Sequence, residues 1–216
     1  MRHGSVTYFD DAGKPLPPEQ VALNCDGRAQ ADAAGHAFAA AGVAFDKVIV
    51  SGLPRTVETA TRVLAAAGLE HAIDTWPAFA EIRGGRLSAI PPEQLHAAFT
   101  GIFSGPVAES TRFLGGESVG ELLDRVHPAV ARLRADPGWD TALLVLHGGV
   151  NCAILSLALT GTRLFLGGLA QAPGCINALD VGMGDWVVRC VNLVPSAPLQ
   201  ARTRSTTMED LLKQYR

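Results

Sequence analysis

The sequence has neither an excess of basic residues nor an apolar run long enough to span a bilayer. Its 18 Lys and Arg residues are outnumbered by 21 Asp and Glu residues, which gives a formal net charge of −3 and a pI near 6.0. Nucleic-acid-binding domains carry clustered Lys and Arg and a basic pI, so we expect no nucleic-acid partner. The longest apolar stretches, 142–146 and 150–159, are too short to cross a membrane. The first residues are not followed by the apolar run that is typical of a signal peptide. We therefore expect a cytoplasmic protein without membrane contact.

Cysteine is scarce, and its spacing predicts neither a metal site nor a disulfide framework. The four cysteines are Cys25, Cys152, Cys175 and Cys190. They form no C-x-x-C pair and fit no zinc pattern. We therefore expect small buried apolar residues in a reducing compartment, and no metal or other cofactor.

The 216 residues are 48% hydrophobic, which suits one globular domain spanning 1–216. Short β-branched or Leu-rich runs at 48–50, 142–146 and 186–191 predict buried strands. Apolar residues at three- and four-residue spacing predict helices between and around them. These helices are 27–41, 56–67, 119–135, 150–159 and, after a linker at 195–207, 208–215. Alternating strands and helices predict an α/β fold, a three-layer α/β/α sandwich with a mostly parallel central sheet.

The segment 86–116 interrupts this pattern. It is rich in Pro and Gly, including Pro91-Pro92, Gly105-Pro106 and Gly115-Gly116, and only 93–99 suggests a short helix. Long irregular insertions in compact α/β domains often form lids or binding loops, so we expect a lid here.

Four short clusters carry groups suited to phosphate chemistry. They are Arg2-His3-Gly4, the run from Ser51 to Ala60 that includes Arg55, Glu81 with its neighbours, and His147-Gly148-Gly149. Two of them directly follow a predicted strand and open a helix. At this edge of an open α/β sheet, ligands bind and helix N-termini present free N–H groups to anions. We expect Arg55 and His147 to converge on one crevice.

These residue types are sufficient for phosphoryl transfer. Arginine guanidinium groups match phosphate oxygens and stay charged at any working pH. A neutral imidazole can attack phosphorus, and a second, protonated imidazole can stabilise the equatorial oxygens. A carboxyl group can protonate the leaving alkoxide and later activate water. Because the reaction mainly requires positioning and charge stabilisation, such a set needs no metal.

The ordered motifs resemble those of the histidine phosphatase superfamily, which includes the cofactor-dependent phosphoglycerate mutases. The matching segments are Arg2-His3-Gly4, Leu23-x-x-x-Gly27-x-x-Gln30-Ala31, Ser51-x-Leu53-x-Arg55-x-x-x-Thr59-Ala60, Phe79-x-Glu81-Ile82, Gly116-Glu117-Ser118 and His147-Gly148-Gly149. Asn177 and Asn192 also stand where the C-terminal strands of the family often carry Asn. The resemblance covers nearly the whole chain.

The resemblance implies a role for each site residue. His3 takes the place of the phosphorylated histidine. Arg2 and Arg55 are the phosphate arginines, which act with His147 and backbone N–H groups near Gly148. Glu81 lies in the acid/base segment.

Two other carboxylates, Glu58 and Glu117, compete with Glu81 for the acid/base role. We expect Glu117 instead to cap or brace the helix that begins near Ser118, since carboxylates are favoured at helix starts. The other histidines, His36, His71, His96 and His127, have no paired ligand spacing and are expected to be structural or solvent-facing.

Departures from the family pattern shape the functional expectation. The chain begins one residue before Arg-His-Gly, so either the true start lies upstream or a central strand is truncated. The Asn and Trp that follow this triplet in mutases are absent, and their long basic segments are not recognisable. These differences favour a metal-independent phosphatase for a small-molecule phosphomonoester.

Two alternatives remain open at this point. One is a phosphoglycerate-type mutase, since Arg83, Arg86 and Arg112 flank the insertion. The other is a non-catalytic protein that binds phosphorylated ligands. Selectivity is expected in the insertion and in the loop 5–16, and the Ala- and Gly-rich helices could support a homodimer.

Overall fold

The structure is a computed structural model that describes residues 1–10, 12–182, 184–197 and 205–215. Its α-helices are α1 (Cys25–Ala40), α2 (Pro54–Ala67), α3 (Leu95–Thr100), α4 (Val119–Ala135), α5 (Gly148–Thr160) and α6 (Thr207–Tyr215). Its strands are β1 (Lys47–Val50), β2 (Ile73–Thr75), β3 (Pro106–Val107), β4 (Ala142–Val145), β5 (Phe165–Leu166), β6 (Ile176–Val181) and β7 (Trp186–Leu193). Residues 198–204 of the predicted linker lie outside the described residues.

Local signals set the ends of the main helices. The Asn24 side chain caps α1 by accepting a hydrogen bond from the Gly27 backbone. Pro54 occupies the first turn of α2, where its missing N–H costs no hydrogen bond. A capping box of Ser118 and Glu121 starts α4. These helices therefore begin where their sequences favour it, up to two residues before the predicted starts of α1 and α2.

The central sheet places three parallel strands in the order β2-β1-β4, and the antiparallel pair β6 and β7 lies beyond them. The first three residues extend this sheet beside β4. The Leu146 backbone N–H donates to the carbonyl of Met1, and the His3 N–H donates to the carbonyl of Leu146, both at 2.9 Å. On the other side, the Arg2 N–H donates to the carbonyl of Cys175 at 3.0 Å. His3 is thus fixed at the centre of the sheet by ladder-like bonds on both sides.

Side chains on neighbouring residues of β1 enter two separate hydrophobic clusters. Val48 and Val50 pack with side chains of α1 and α2, whereas Ile49 packs with side chains of α4 and α5. Successive residues of a strand point to opposite faces, so both faces of the sheet are covered by helices. The predicted three-layer α/β/α sandwich with a parallel central sheet is confirmed.

The insertion 86–116 is packed onto the body of the protein. Phe99 and Ile102 are each 2% exposed and belong to the cluster on the α4 and α5 side of the sheet. α3 contacts α6, where the rings of Phe99 and Tyr215 lie 6.1 Å apart. Most of the predicted short helix is observed, as α3. β3 also pairs with β5 in this region.

Two expectations about the surface have different outcomes. Within the described residues, no helix combines the length and the apolar character that a membrane span requires. The expectation of buried cysteines is wrong for Cys25, which is exposed at the first turn of α1, and holds for Cys152 and Cys175.

Candidate active site

His3 lies at the carboxyl edge of the parallel strands and is only 3% exposed. Its Nδ1 lies 2.7 Å from the carbonyl oxygen of Gly4. Because a carbonyl can only accept, Nδ1 carries the proton and Nε2 of the neutral ring keeps its lone pair. The ring of His147 lies edge-on to it, with 5.1 Å between the two centroids.

The loop that follows His3 is held by residues of the second and third motifs. The Ser5 N–H donates to the Gln30 side chain at 2.8 Å, and the Gly4 N–H donates to Thr59 Oγ1 at 3.1 Å. A Cβ on Gly27 would lie 2.1 Å from the carbonyl oxygen of Ser5, so this contact requires glycine. α1 and α2 therefore fix the direction in which the chain leaves His3.

His147 is the residue directly before α5 and is fully buried. Its Nε2 lies 2.8 Å from the hydroxyl of Ser51, the residue that follows β1. The ends of two neighbouring parallel strands thus supply both groups. Nδ1, on the other side of the ring, has no hydrogen-bond partner among the described residues.

The two arginines approach from different elements. Arg55, in the first turn of α2, is 2% exposed and donates through Nη1 to the carbonyl of Pro18 at 2.6 Å. Arg2 donates through Nη1 to the carbonyl of Gln171 and, at 2.9 Å, to the hydroxyl of Thr207. A buried cation at the positive N-terminal end of a helix is unfavourable unless an anion accompanies it.

Unpaired buried side-chain nitrogens are concentrated in this region. Within the described part of the chain, four buried side-chain nitrogens lack a hydrogen-bond partner, and three of them are Arg2 Nε, Arg55 Nε and His147 Nδ1. Buried polar groups in proteins are nearly always paired, so two unpaired guanidinium N–H groups and an unpaired imidazole nitrogen in one place indicate a site for a polyvalent anion. The fourth, His127 Nε2, lies on α4.

Glu81 lies beside this cluster, half-buried, in the segment after Phe79. One carboxylate oxygen accepts from the Ile82 N–H at 2.9 Å, and the other accepts from the Gly149 N–H at 3.2 Å. A Cβ added to Gly148 would lie 3.7 Å from Arg2 Nε and 3.8 Å from Glu81 Oε2, so these two side chains border the N-terminus of α5. The carboxylate is therefore next to the cationic groups and still partly open to solvent.

Burial and nearby positive charge lower the pKa values of both histidines. Burial holds the pKa of His3 well below its usual value, and the nearby Arg2 and Arg55 guanidinium groups lower it further. Burial also holds the pKa of His147 well below the usual value, and repulsion from a protonated His3 and from Arg55 and Arg2 lowers it further. Both rings are therefore neutral near pH 7 in this state, so the expected protonated form of His147 requires an anion beside it.

Comparison with protein families shows which family the chain belongs to. Residues 1–194 match the model described as histidine phosphatase superfamily (branch 1). The chain belongs to the histidine phosphatase superfamily. No curated protein sequence matched the chain.

Solved structures with the same fold include other members of this superfamily. The alpha-ribazole phosphatase from Shigella flexneri is 20% identical, with a TM-score of 0.66 over 89% of this chain and 94% of that chain. A mycobacterial glucosyl-3-phosphoglycerate phosphatase is 22% identical, with a TM-score of 0.67 over 88% of this chain and 95% of that chain. Its complex with inorganic phosphate is 21% identical, with a TM-score of 0.67 over 90% and 95%. At these identities the likeness shows the fold.

The two carboxylates that compete with Glu81 for the acid/base role form hydrogen bonds away from His3. Glu58 accepts hydrogen bonds from the Leu23 N–H at 2.9 Å and from Arg28 Nε at 2.7 Å. Glu117 does not cap α4, since Ser118 and Glu121 do so, but it braces this helix by pairing with Arg125 in its second turn. Neither carboxylate contacts the cluster around His3.

The charge of the site suits an anion and not a metal ion. Among the described residues, no group of three or more His, Cys, Asp or Glu side chains is arranged to hold a metal. Arg2 and Arg55 would repel a cation, whereas their guanidinium groups match phosphate oxygens.

Several supporting residues were not identified from the sequence as parts of the site. Ser51 was recognised only as a motif residue, although its hydroxyl contacts His147. Gln171, whose carbonyl accepts from Arg2, has its side-chain oxygen bonded by the amides of Asn151 at 3.0 Å and Asn177 at 2.8 Å. The Asn at 177 was the one available signal for this network.

Tyr8 is a further neighbour of the cluster. Burial raises the pKa of its hydroxyl, and Arg55, Arg2 and Glu81 are the charges that act on it. It lies in the loop 5–16, where the sequence predicts selectivity.

Proposed function

We propose that the protein is a metal-independent phosphatase for small-molecule phosphomonoesters that acts through a phosphorylated His3. The observation that carries this proposal is the group of unpaired buried nitrogens, Arg2 Nε, Arg55 Nε and His147 Nδ1, beside the unprotonated nitrogen of His3. A phosphoryl group supplies acceptor oxygens for the two guanidinium groups and for His147, which takes up a proton beside the anion, at the position where a nucleophile can reach phosphorus. The neighbour crystallised with inorganic phosphate has the same fold.

His3 is the nucleophile in this mechanism. Its Nε2 lone pair attacks phosphorus, a bond between Nε2 and phosphorus forms, and the bond to the ester oxygen breaks. The carbonyl of Gly4 holds the proton on Nδ1, which stabilises the positive charge that develops on the ring. The low pKa of His3 keeps the attacking ring unprotonated near neutral pH.

The cationic groups stabilise the phosphoryl oxygens during transfer. Arg2 and Arg55 bring fixed positive charge into a buried site, where electrostatic interactions are stronger than in water. His147 donates from Nδ1, and a phosphate dianion beside it raises its pKa toward the protonated form. The N–H of Gly148, at the N-terminus of α5, adds a backbone donor.

Glu81 serves as the general acid and then as the general base. It gives its proton to the leaving ester oxygen, so that an alcohol departs. In the second step it takes a proton from water, whose oxygen attacks phosphorus and breaks the bond to His3. Inorganic phosphate and a protonated Glu81 result, and the enzyme returns to its starting state.

The test compares the wild type with His3→Ala in the presence of EDTA. We expect the wild type to hydrolyse p-nitrophenyl phosphate and to become labelled by a radioactive phosphomonoester, with a label stable to alkali and lost in acid. His3→Ala should lose both hydrolysis and label while keeping its circular dichroism spectrum. His36→Ala, at an exposed position on α1, is the matched control and should behave as the wild type.

Other outcomes would replace the proposal. Hydrolysis at the wild-type rate by folded His3→Ala would rule out the phosphohistidine. A label that passes to a second substrate molecule and not to water would indicate a mutase. Phosphate binding by the wild type without turnover or label would indicate a binding protein.

A further inference from the structure

Arg125, in the second turn of α4, contacts the backbone on the N-terminal side of Glu81. Its Nη1 donates to the carbonyl of Ala78 at 2.7 Å and to that of Ala80 at 2.6 Å. Its Nη2 donates to the carbonyl of Glu81 itself at 3.2 Å. One guanidinium group therefore fixes three carbonyl groups of a segment that has no sheet partner.

Glu117 links Arg125 to the backbone on the C-terminal side of Glu81. Its carboxylate accepts two hydrogen bonds from Arg125, from Nε at 2.8 Å and from Nη2 at 3.0 Å. It also accepts from the backbone N–H of Arg83 at 2.9 Å. Arg125 and Glu117 thus hold the chain immediately before and after Glu81.

In this ion pair Glu117 is buried and Arg125 is half-buried. Glu117 is 6% exposed. Burial raises the pKa of Glu117, but the Arg125 and Arg83 hydrogen bonds and charges more than offset burial, so the pKa lies below its usual value. A paired, hydrogen-bonded charge in the interior is geometrically restrained, because breaking one contact leaves the other charge unpaired.

We propose that Arg125 and Glu117 are positioning residues that set the location of the Glu81 carboxyl group for proton transfer to the leaving group. This inference rests on the proposed function, since it assigns Glu81 the acid role. The remaining contacts of the Glu81 carboxylate are two backbone N–H groups, those of Ile82 and Gly149. Moving the Glu81 backbone therefore shifts the carboxylate relative to His3, and proton transfer depends strongly on such distances.

The leaving group provides the readout that separates positioning from general damage. p-Nitrophenolate departs readily without a proton, whereas a simple alkoxide from an alkyl phosphate needs one. The ratio kcat/KM covers the steps up to departure of the leaving group, so later hydrolysis of phosphohistidine does not affect it. General acid catalysis contributes about 10²–10⁴-fold, so the alkyl substrate should carry most of the loss.

The experiment measures kcat/KM for p-nitrophenyl phosphate and for an alkyl phosphate in the wild type, Arg125→Lys, Glu117→Gln and Glu81→Gln. We expect Arg125→Lys and Glu117→Gln to lose roughly 10- to 100-fold on the alkyl phosphate and less than about 3-fold on the aryl phosphate. Glu81→Gln should show the same selectivity with a larger loss. Arg132→Gln is the matched control, because Arg132 lies on the same helix and contacts the Trp76 ring at 4.5 Å but not the Glu81 backbone.

Three results would overturn the inference. Equal losses on both substrates would indicate reduced folding and not misplacement of the acid. An unchanged ratio in folded Arg125→Lys and Glu117→Gln would show that the pair does not position Glu81. A wild type inactive on both substrates would remove the proposed function and this inference together, whereas an active wild type with unaltered variants would remove the inference alone.

If single variants unfold because one buried charge stays unpaired, the double variant Arg125→Gln with Glu117→Gln keeps the test decisive. It removes both charges, which is far less damaging than removing one. The same selective loss on the alkyl phosphate is expected from it, and an equal loss on both substrates would again contradict the proposal.

Discussion

At the scale of single residues, the Ser51 hydroxyl controls how His147 faces the anion site. Ser51 Oγ lies 2.8 Å from His147 Nε2 and 3.1 Å from Thr56 Oγ1, while Thr56 donates its own proton to the carbonyl of Leu53. Because the proton of Thr56 goes to Leu53, the Ser51 hydroxyl donates to Thr56 Oγ1 and accepts a hydrogen bond from Nε2 of His147. Nδ1 of the neutral ring is then free to take up a proton when an anion binds beside it. The contact also fixes the plane of the ring against His3.

We predict that Ser51→Ala lowers kcat for p-nitrophenyl phosphate by roughly 10-fold with little change in fold. The substitution leaves His147 Nε2 buried without a partner, and a lost buried hydrogen bond is worth about 1–3 kcal/mol, or about 10-fold per 1.4 kcal/mol. Steady-state kinetics will test this, with Thr61→Ala as control, since the exposed Thr61 hydroxyl bonds only its own helix. Equal activity of Ser51→Ala and the control would contradict an orienting role.

At the scale of elements, the close contact of α1 with the loop after His3 places the nucleophile. The backbones of Gly27 and Ser5 approach so closely that a Cβ at Gly27 would lie 2.1 Å from the Ser5 carbonyl oxygen. The reverse contact is equally tight, since a Cβ at Gly4 would lie 2.3 Å from the Gly27 carbonyl oxygen. Both contacts involve backbone atoms, so a side chain cannot move aside to relieve them.

We predict that Gly27→Ala destabilises the protein by about 1–3 kcal/mol through overpacking and also lowers activity, because the loop carrying His3 shifts. Gly101→Ala is the matched control, since a Cβ there meets no atom within 4 Å. Urea unfolding of both variants provides the measurement. A Gly27→Ala protein as stable as the control would show that α1 can move away without cost.

The elements that the sequence predicted are those with a strong apolar pattern. The run at 48–50 is buried and β4 alternates between half-buried and buried residues; both were predicted as strands, and α4 has the predicted bounds. The run at 186–191 was also predicted as a buried strand and lies in β7, but none of its residues is buried. β2 and β6 were not predicted. β2 has three residues, two of them exposed, and no residue of β6 is buried, because this strand includes the polar Asn177 and Asp180. Their place in the sheet depends on neighbours that no local window contains.

The residues of the candidate site also include some that the sequence could place and others that it could not. Residues at strand ends and helix starts, such as Arg55 and His147, could be placed near one edge because strand order alone brings them together. Glu117 was expected to cap or brace α4. It does not cap the helix but braces it through Arg125, and the sequence did not show that Arg125 also bonds a distant loop segment. Contacts between a helix and an irregular loop have no periodicity, so the sequence gives no signal for them.

At the scale of the whole molecule, folding buries two histidines among cations to assemble the site. His3 comes from the first residues of the chain and His147 from its second half, and both rings are almost fully buried beside Arg2 and Arg55. Their pKa values in the folded protein lie well below the ordinary value of 6.5. Near pH 6.5 these two histidines therefore bind protons in the unfolded chain but not in the folded protein.

This difference predicts a pH dependence of stability with a definite sign. Because the folded pKa values are lowered, the stability is fully present above about pH 6.5 and is lost as the pH falls toward the folded values. Two such groups should reduce the free energy of unfolding by about 2 kcal/mol between about pH 7 and about pH 5.5. Urea unfolding at both pH values measures this quantity.

The variant carrying His3→Gln and His147→Gln isolates the contribution of these two rings. Carboxylates and His127 also titrate in the acid range, but they are common to both proteins, so the difference between the two pH slopes belongs to the substituted pair. We expect a flatter slope in the variant. Identical slopes would mean that the two rings take up protons in the folded state as readily as in the unfolded chain, which would contradict a neutral nucleophile preorganised by burial. Vanadate, a phosphate analogue, should stabilise the wild type but not the variant, since only the wild type retains the imidazole groups proposed to bind it.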